Sequence, residues 1–106
     1  MRKMLYLLFA ATILVSCGAN SHKGYNSVDA DSFAKFIANE QVQLIDSRTP
    51  EEFNAGHIPG AININIGDEN FRAKVNELDK SRPIAVYCRG GRRSKEAADI
   101  MAGCGY

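Results

Sequence analysis

Cysteine is scarce in this chain, charge is balanced, and no apolar run is long. Only three of its 106 residues are cysteines: Cys17, Cys88 and Cys104. That is too few for a disulfide scaffold. A site of four thiolates is also out of reach, and no histidine lies close to them in sequence, so neither a metal nor a cofactor is implied. Thirteen Lys and Arg against twelve Asp and Glu leave a formal net charge of +1. Such a balance excludes a bulk electrostatic partner such as nucleic acid. The apolar stretch over residues 5–15, "LYLLFAATILV", falls well short of the ~20 residues that a helix needs to cross a bilayer. No internal repeat is visible, and the length allows a single domain.

The short apolar run has informative neighbours. Arg2 and Lys3 give it a positive start, and its length suits the core of a signal peptide. Leu14-Val15-Ser16-Cys17 closes it and resembles the lipobox of bacterial lipoproteins. The resemblance implies removal of residues 1–16 and acylation of Cys17 as the first residue of the mature chain. It also implies export and an anchor in a bacterial membrane, with the domain in the periplasm or at the cell surface. Gly18 follows Cys17 in place of the Asp that often retains lipoproteins at the inner membrane, which favours the outer membrane. Residues 17–27 are small and polar without periodicity and are expected to form a flexible tether. The domain is expected from Val28 onward.

From there, helical and extended patterns alternate. Asp29 or Asp31 can cap a helix that brings Phe33, Phe36 and Ile37 to one face. Residues 42–45, "VQLI", predict a strand ending at Asp46. Thr49-Pro50-Glu51-Glu52 is a capping box with proline at the first helical position, and Gly56 and Pro59 stop the helix that it opens. Residues 61–66, "AININI", alternate as in a strand with one face in water at a sheet edge. Asp68 is the expected cap of a helix carrying Phe71, Val75 and Leu78. Residues 83–87, "PIAVY", predict a strand buried on both faces, and Ala97, Ile100, Met101 and Cys104 share one side of a last helix. Strand and helix in turn predict an α/β fold, with a central, mainly parallel sheet flanked by helices.

The chemistry concentrates in "YCRGGRRS", residues 87–94. Cys88 follows a strand and precedes a helix, at the sheet edge where open α/β folds bind ligands. Gly90 and Gly91 allow a tight turn with backbone N–H groups facing inward. The helix start adds unpaired donors and the positive end of its dipole. Such a nest, rimmed by Arg89, Arg92 and Arg93, favours a thiolate and attracts small anions. A small buried hydrophobe would need no such setting.

Residues 44–66, "LIDSRTPEEFNAGHIPGAININI", and residues 86–94, "VYCRGGRRS", resemble the two signatures of rhodanese-like domains. The resemblance covers roughly residues 28–106. It implies a rhodanese-like fold and sulfurtransferase activity of the thiosulfate type. Cys88 would attack a small anionic sulfur donor, hold the sulfur as a persulfide and pass it to a thiol or cyanide. The backbone from Arg89 to Arg93 would cradle that persulfide. Arg89 and Arg92 would steer the donor, and Arg93 would tie the loop. Asp46 and Arg48 would support the loop region, and His57 would pack rather than catalyse. Family members continue with a further strand and helix beyond the segment that ends here. The chain is therefore expected to be C-terminally truncated, with a gap beside the strand that precedes Cys88.

Other functions compete with this one. Cysteine phosphatases need Cys-x₅-Arg, whereas residue 94 is Ser and Arg93 gives the tighter Cys-x₄-Arg. A rhodanese-like module that carries persulfide or docks a partner without turnover is the alternative, as is an inactive truncated product. Cys104 is expected to be a core-facing hydrophobe at the far end of the helix from Cys88, ~20 Å away. That is too far for a disulfide, which needs Cα atoms within ~7 Å.

Overall fold

Val42, Gln43, Leu44 and Ile45 lie at the centre of the molecule. The computed structural model describes residues 24–106. The expected signal segment 1–16, Cys17 and the first part of the tether lie outside the described residues. Among those described, β1 (Gln43–Asp46) is the middle strand of a parallel sheet, between β2 (Ile62–Asn63) and β3 (Ile84–Tyr87). All four residues of β1 are buried. The two-residue period of a strand sends neighbours to opposite faces. Val42 and Leu44 pack with Ala85, Phe33, Ile37 and Tyr87. Ile45 packs with Ile64, Phe71, Val75, Ala97 and Met101. Helix α1 (Ala30–Ile37) therefore covers one face of the sheet, and α3 (Phe71–Val75) and α4 (Arg92–Gly103) cover the other. Burying a side chain such as Ile45 or Val75 contributes ~1.5–3 kcal/mol.

The helix starts follow local chemistry. Asp29 Oδ1 accepts from Ser32 N at 2.8 Å and caps α1. At α2 (Pro50–Ala55) the capping box is complete: Glu52 N donates to Thr49 Oγ1 and Thr49 N to Glu52 Oε1. Asp68 does not cap α3 as expected. Its carboxylate accepts from Asn70 N in a local turn, and Asn70 takes the cap position without a side-chain bond. Leu78 lies past the end of α3 but still packs against the core.

Two strands depart from expectation. Only Ile62 and Asn63 of residues 61–66 pair as a strand, and the three isoleucines do not share a face. Ile62 is 49% exposed while Ile64 is buried. The Asn63 side chain turns back to donate to the carbonyls of Asp46 and Arg48, and the chain then follows β1 by single bonds from Ile64 N to Asp46 O and Ile66 N to Ser47 O. Strand β3 is not buried on both faces; only Ala85 is fully buried. It pairs with β1 along one edge, and among the described residues no strand lies along its other edge. A groove of about 600 Å³ runs there instead, between Phe33 and Phe36 of α1, Ile84 and Val86 of β3, and Met101 of α4. Residues 24–28 line the same groove. Gly24, at φ 92°, passes so near α4 that a Cβ there would lie 3.0 Å from Ala102 Cβ. The last residues of the expected tether thus pack on the domain.

Candidate active site

β3 delivers Cys88 to the carboxyl end of the sheet, and two anchors fix the strand there. Ser47, fully buried after β1, donates through both its N and its Oγ to Tyr87 O, each at 3.0 Å. The Tyr87 hydroxyl accepts from Ile58 N at 3.0 Å. The residue before Cys88 is thereby held at both its main chain and its side chain.

Past Cys88 the chain turns through Gly90 and Gly91. Gly91 is at φ 95°, a left-handed conformation that a side chain would strain, and it stands at the N-cap of α4 without a capping side chain. The Cys88 sulfur fills that role. Its Sγ accepts from Gly91 N at 3.0 Å and from Ser94 N at 3.3 Å. These are the first donors of a helix, which otherwise have no partner. The Ser94 hydroxyl lies 3.5 Å from the sulfur and donates to Gly91 O at 3.0 Å. Partial burial pushes the Cys88 thiol up. The Ser94 hydroxyl and the N–H groups of Ser94, Gly91 and Arg93 outweigh that effect and bring it below the ordinary thiol value.

The Arg93 side chain is clamped. Its guanidinium donates to both Glu52 oxygens, at 2.7 and 3.0 Å. The Arg93 bond, with help from the Thr49 backbone, lowers the Glu52 carboxyl to about 2. Arg89 and Arg92 are exposed, and no hydrogen bond or ion pair holds either among the described residues. Arg89 borders a shallow depression of about 410 Å³ shared with Arg48, Glu51 and Glu52.

Asp46 and Arg48 form a tight pair beside the loop rather than within it. Arg48 donates to Asp46 from Nε and Nη2, the latter at 2.7 Å, and reaches Gly56 O as well. Asp46 is buried, which alone would raise its carboxyl; the Arg48 bonds win and hold it below the ordinary range. The pair reaches the loop indirectly, since Arg48 lies over the Tyr87 ring at 5.8 Å. His57 stacks on Phe53 with centroids 3.6 Å apart, its Nδ1 2.9 Å from Phe53 O, which is a packing position. Cys104 is half-buried against the core at the other end of α4.

Ser47, Glu52, Tyr87 and Ser94 complete this arrangement, and the sequence pattern assigned none of them to the site. The capping box pointed to Glu52 for a local reason only. Cys-x₅-Ser could have flagged Ser94. Nothing in the pattern signals the Ser47 and Tyr87 anchors.

The rhodanese-like domain family matches this chain over residues 29–106. A sulfurtransferase of Allochromatium vinosum is 34% identical over 82 residues, which cover 76% of this chain and 75% of that protein. The thiosulfate sulfurtransferase PspE of Escherichia coli is 39% identical over 62 residues, 58% of this chain and 60% of the relative. The first curated relatives are spanned to between 30% and 75% of their length. Among solved structures, a rhodanese-related protein from Thermoplasma volcanium superposes with a TM-score of 0.66 at 31% identity, covering 76% of this chain and 77% of that one. With the parallel sheet, the cysteine at its carboxyl edge and the match across nearly all described residues, the chain belongs to the rhodanese-like domain family.

Proposed function

We propose that this domain is a sulfurtransferase that takes a sulfane sulfur from a small anionic donor of the thiosulfate type. It holds the sulfur as a persulfide on Cys88 and passes it to a thiol or cyanide. One observation carries the reading: the Cys88 sulfur occupies the N-cap of α4, where Gly91 N at 3.0 Å and Ser94 N at 3.3 Å meet it. Fixed donors aimed at sulfur stabilise its anion without reorganisation during the reaction. Arg89 and Arg92, exposed on the same loop, supply positive charge to draw an anionic donor. Relatives named as sulfurtransferases support the same chemistry. Phosphoryl transfer fits poorly, because Arg93, the arginine of Cys-x₄-Arg, is committed to Glu52.

The test is direct. The purified domain is given thiosulfate and cyanide. Thiocyanate formation and a mass gain of one sulfur atom on Cys88 support the enzyme. The adduct without thiocyanate marks a persulfide carrier, and absence of both refutes sulfur transfer. Cys88→Ser abolishes both signals.

The proposal extends to location. The order of positive start, apolar run and lipobox-like Leu14-Val15-Ser16-Cys17 supports export and acylation at Cys17. The domain would then be tethered to a bacterial membrane, with the outer membrane favoured by Gly18. Cys17→Ala releases the protein from the membrane fraction if this holds; unchanged membrane association refutes it.

A further inference from the structure

Cys88 Sγ, Ser94 Oγ and the Gly91 carbonyl oxygen form a short hydrogen-bonded chain. The sulfur lies 3.5 Å from Ser94 Oγ, and Ser94 Oγ lies 3.0 Å from Gly91 O. With the thiol protonated, S–H donates to the Ser94 oxygen and the Ser94 hydrogen goes to the carbonyl. A thiolate has no hydrogen to give. The hydroxyl can then reverse its role by rotation about one bond, since it is both donor and acceptor. The other donors to the sulfur, Gly91 N and Ser94 N, belong to the main chain and cannot turn away.

We propose that Ser94 is a catalytic residue whose hydroxyl swings between the Gly91 carbonyl and the Cys88 sulfur as negative charge leaves that sulfur and returns to it. The inference rests on the persulfide reading above. In the charging step the Cys88 thiolate attacks the outer sulfur of thiosulfate. A sulfur–sulfur bond forms at Sγ, the bond inside thiosulfate breaks, and sulfite leaves with its electron pair. The negative charge of the enzyme moves from Sγ to the new terminal sulfur. Sγ is now a neutral, two-coordinate sulfur, and the hydroxyl returns to Gly91 O. In the discharging step the acceptor anion attacks the terminal sulfur and Sγ leaves as a thiolate. The hydroxyl swings back onto it as the charge builds. A donor present only when charge is present favours the transition state over the resting persulfide.

The charged groups around the sulfur are Arg89, Arg92 and Arg93 on its own loop, Glu52 of α2 beyond Arg93, and the Asp46–Arg48 pair after β1. Glu52 and Asp46 are held below the ordinary carboxylate range, so neither changes charge over the alkaline range in which a thiol titrates.

Ser94→Ala and Ser94→Thr separate this role from a structural one. Three readings are taken on the folded proteins: the pH profile of iodoacetamide alkylation, the rate of persulfide formation from thiosulfate, and the rate of its discharge to cyanide. In Ser94→Ala the alkylation midpoint moves to higher pH and discharge slows about 10-fold, the worth of one hydrogen bond to an anion. Charging, measured above the new midpoint, changes less than about 3-fold, because a less stabilised thiolate is also the better nucleophile. Ser94→Thr keeps the hydroxyl and stays close to wild type. Should Ser94→Ala fail to fold, Ser94→Cys, of similar size and with a weaker donor, takes its place. An unmoved alkylation midpoint overturns the proposal, as does equal slowing of both steps in the alanine and threonine variants. If the wild type takes up no sulfur, the sulfur-transfer reading and the two-step role fall together, while the alkylation profiles still decide whether the hydroxyl bonds the thiolate.

Discussion

Arg93 and Glu52, forty-one residues apart in sequence, are joined by two parallel bonds of 2.7 and 3.0 Å. The same carboxylate closes the capping box of α2 through Thr49. The start of one helix thereby fixes the start of another, and the cysteine loop hangs between them. Glu52→Gln keeps much of the box but loses the charged fork. The loop arginine is then free to move, and kcat/KM for thiosulfate is expected to fall about 10- to 100-fold, the scale of a small misplacement of reacting groups. Glu52→Asp, too short to reach both partners, is expected to behave like Gln. Activity equal to wild type in either variant contradicts the clamp.

The same pair sets a pH dependence. The Glu52 carboxyl is lowered to about 2 in the folded state, from an ordinary 4.5. A group whose folded value is depressed contributes stability that is complete above its unfolded value and is lost as pH falls through the folded one. The melting temperature of the wild type is therefore expected to drop between about pH 5 and pH 2. Asp29, Asp46, Asp68 and Asp79 are lowered too and add to the slope. Glu52→Gln removes one contributor, so its melting curve against pH should be shallower. A parallel curve would show that the pair carries no linkage.

The sulfur as helix cap predicts a split between two Cys88 variants. Both are expected to abolish sulfur transfer. Serine can still accept from Gly91 N and Ser94 N, whereas alanine leaves the N-terminus of α4 bare. Loss of a helix cap costs about 1 kcal/mol. Cys88→Ala should therefore be less stable than Cys88→Ser by about that amount in denaturant titration. Equal stabilities would show that the sulfur makes no structural contribution.

Gln43 is a polar residue within the central strand, and it is buried. Its Nε2 donates to Asp79 O at 2.8 Å and Arg82 O at 3.1 Å, and its Oε1 accepts from Asp79 N at 2.9 Å. The chain entering β3 is thereby tied to β1. Gln43→Ala strands three backbone groups and is expected to cost about 2–3 kcal/mol. In a domain of this size that lowers the melting temperature by about 10 °C. The exposed neighbour Gln41→Ala serves as control and should change little. A loss at position 43 no larger than at position 41 would show that water replaces the bonds.

Local signals in the sequence were well matched by the structure. Thr49, Pro50 and Glu52 act within a single helical turn, so their spacing alone announced α2. The short stretch VQLI over residues 42–45, ending at Asp46, announced β1 in the same local way. The glycines after Cys88 marked the turn, and Gly91 is left-handed there. The contacts that hold the site are non-local. Gln43 meets Asp79 across thirty-six residues, Ser47 meets Tyr87 across forty, and Glu52 meets Arg93 across forty-one. No period in a sequence encodes such meetings. The isoleucines of residues 61–66 were misleading because strand alternation holds only while a strand lasts, and Asn63 ends this one after two residues.

Arg89 and Arg92 are exposed, and their charge has no fixed partner among the described residues. Such charges act on encounter more than on chemistry, and salt screens them over a Debye length of ~10 Å at 0.1 M. Arg89→Ala and Arg92→Ala are each expected to raise KM for thiosulfate about 3- to 10-fold with kcat nearly unchanged, the pattern of lost uniform binding. The defect should shrink as sodium chloride is raised, because the wild type loses its advantage first. It should also shrink for an uncharged persulfide donor, which the guanidinium groups do not attract. Alkylation by neutral iodoacetamide reads the thiolate itself and should stay close to wild type in both variants. A fall in kcat with unchanged KM would instead place the arginine at the transferring sulfur, in contact with charge that develops only during the reaction.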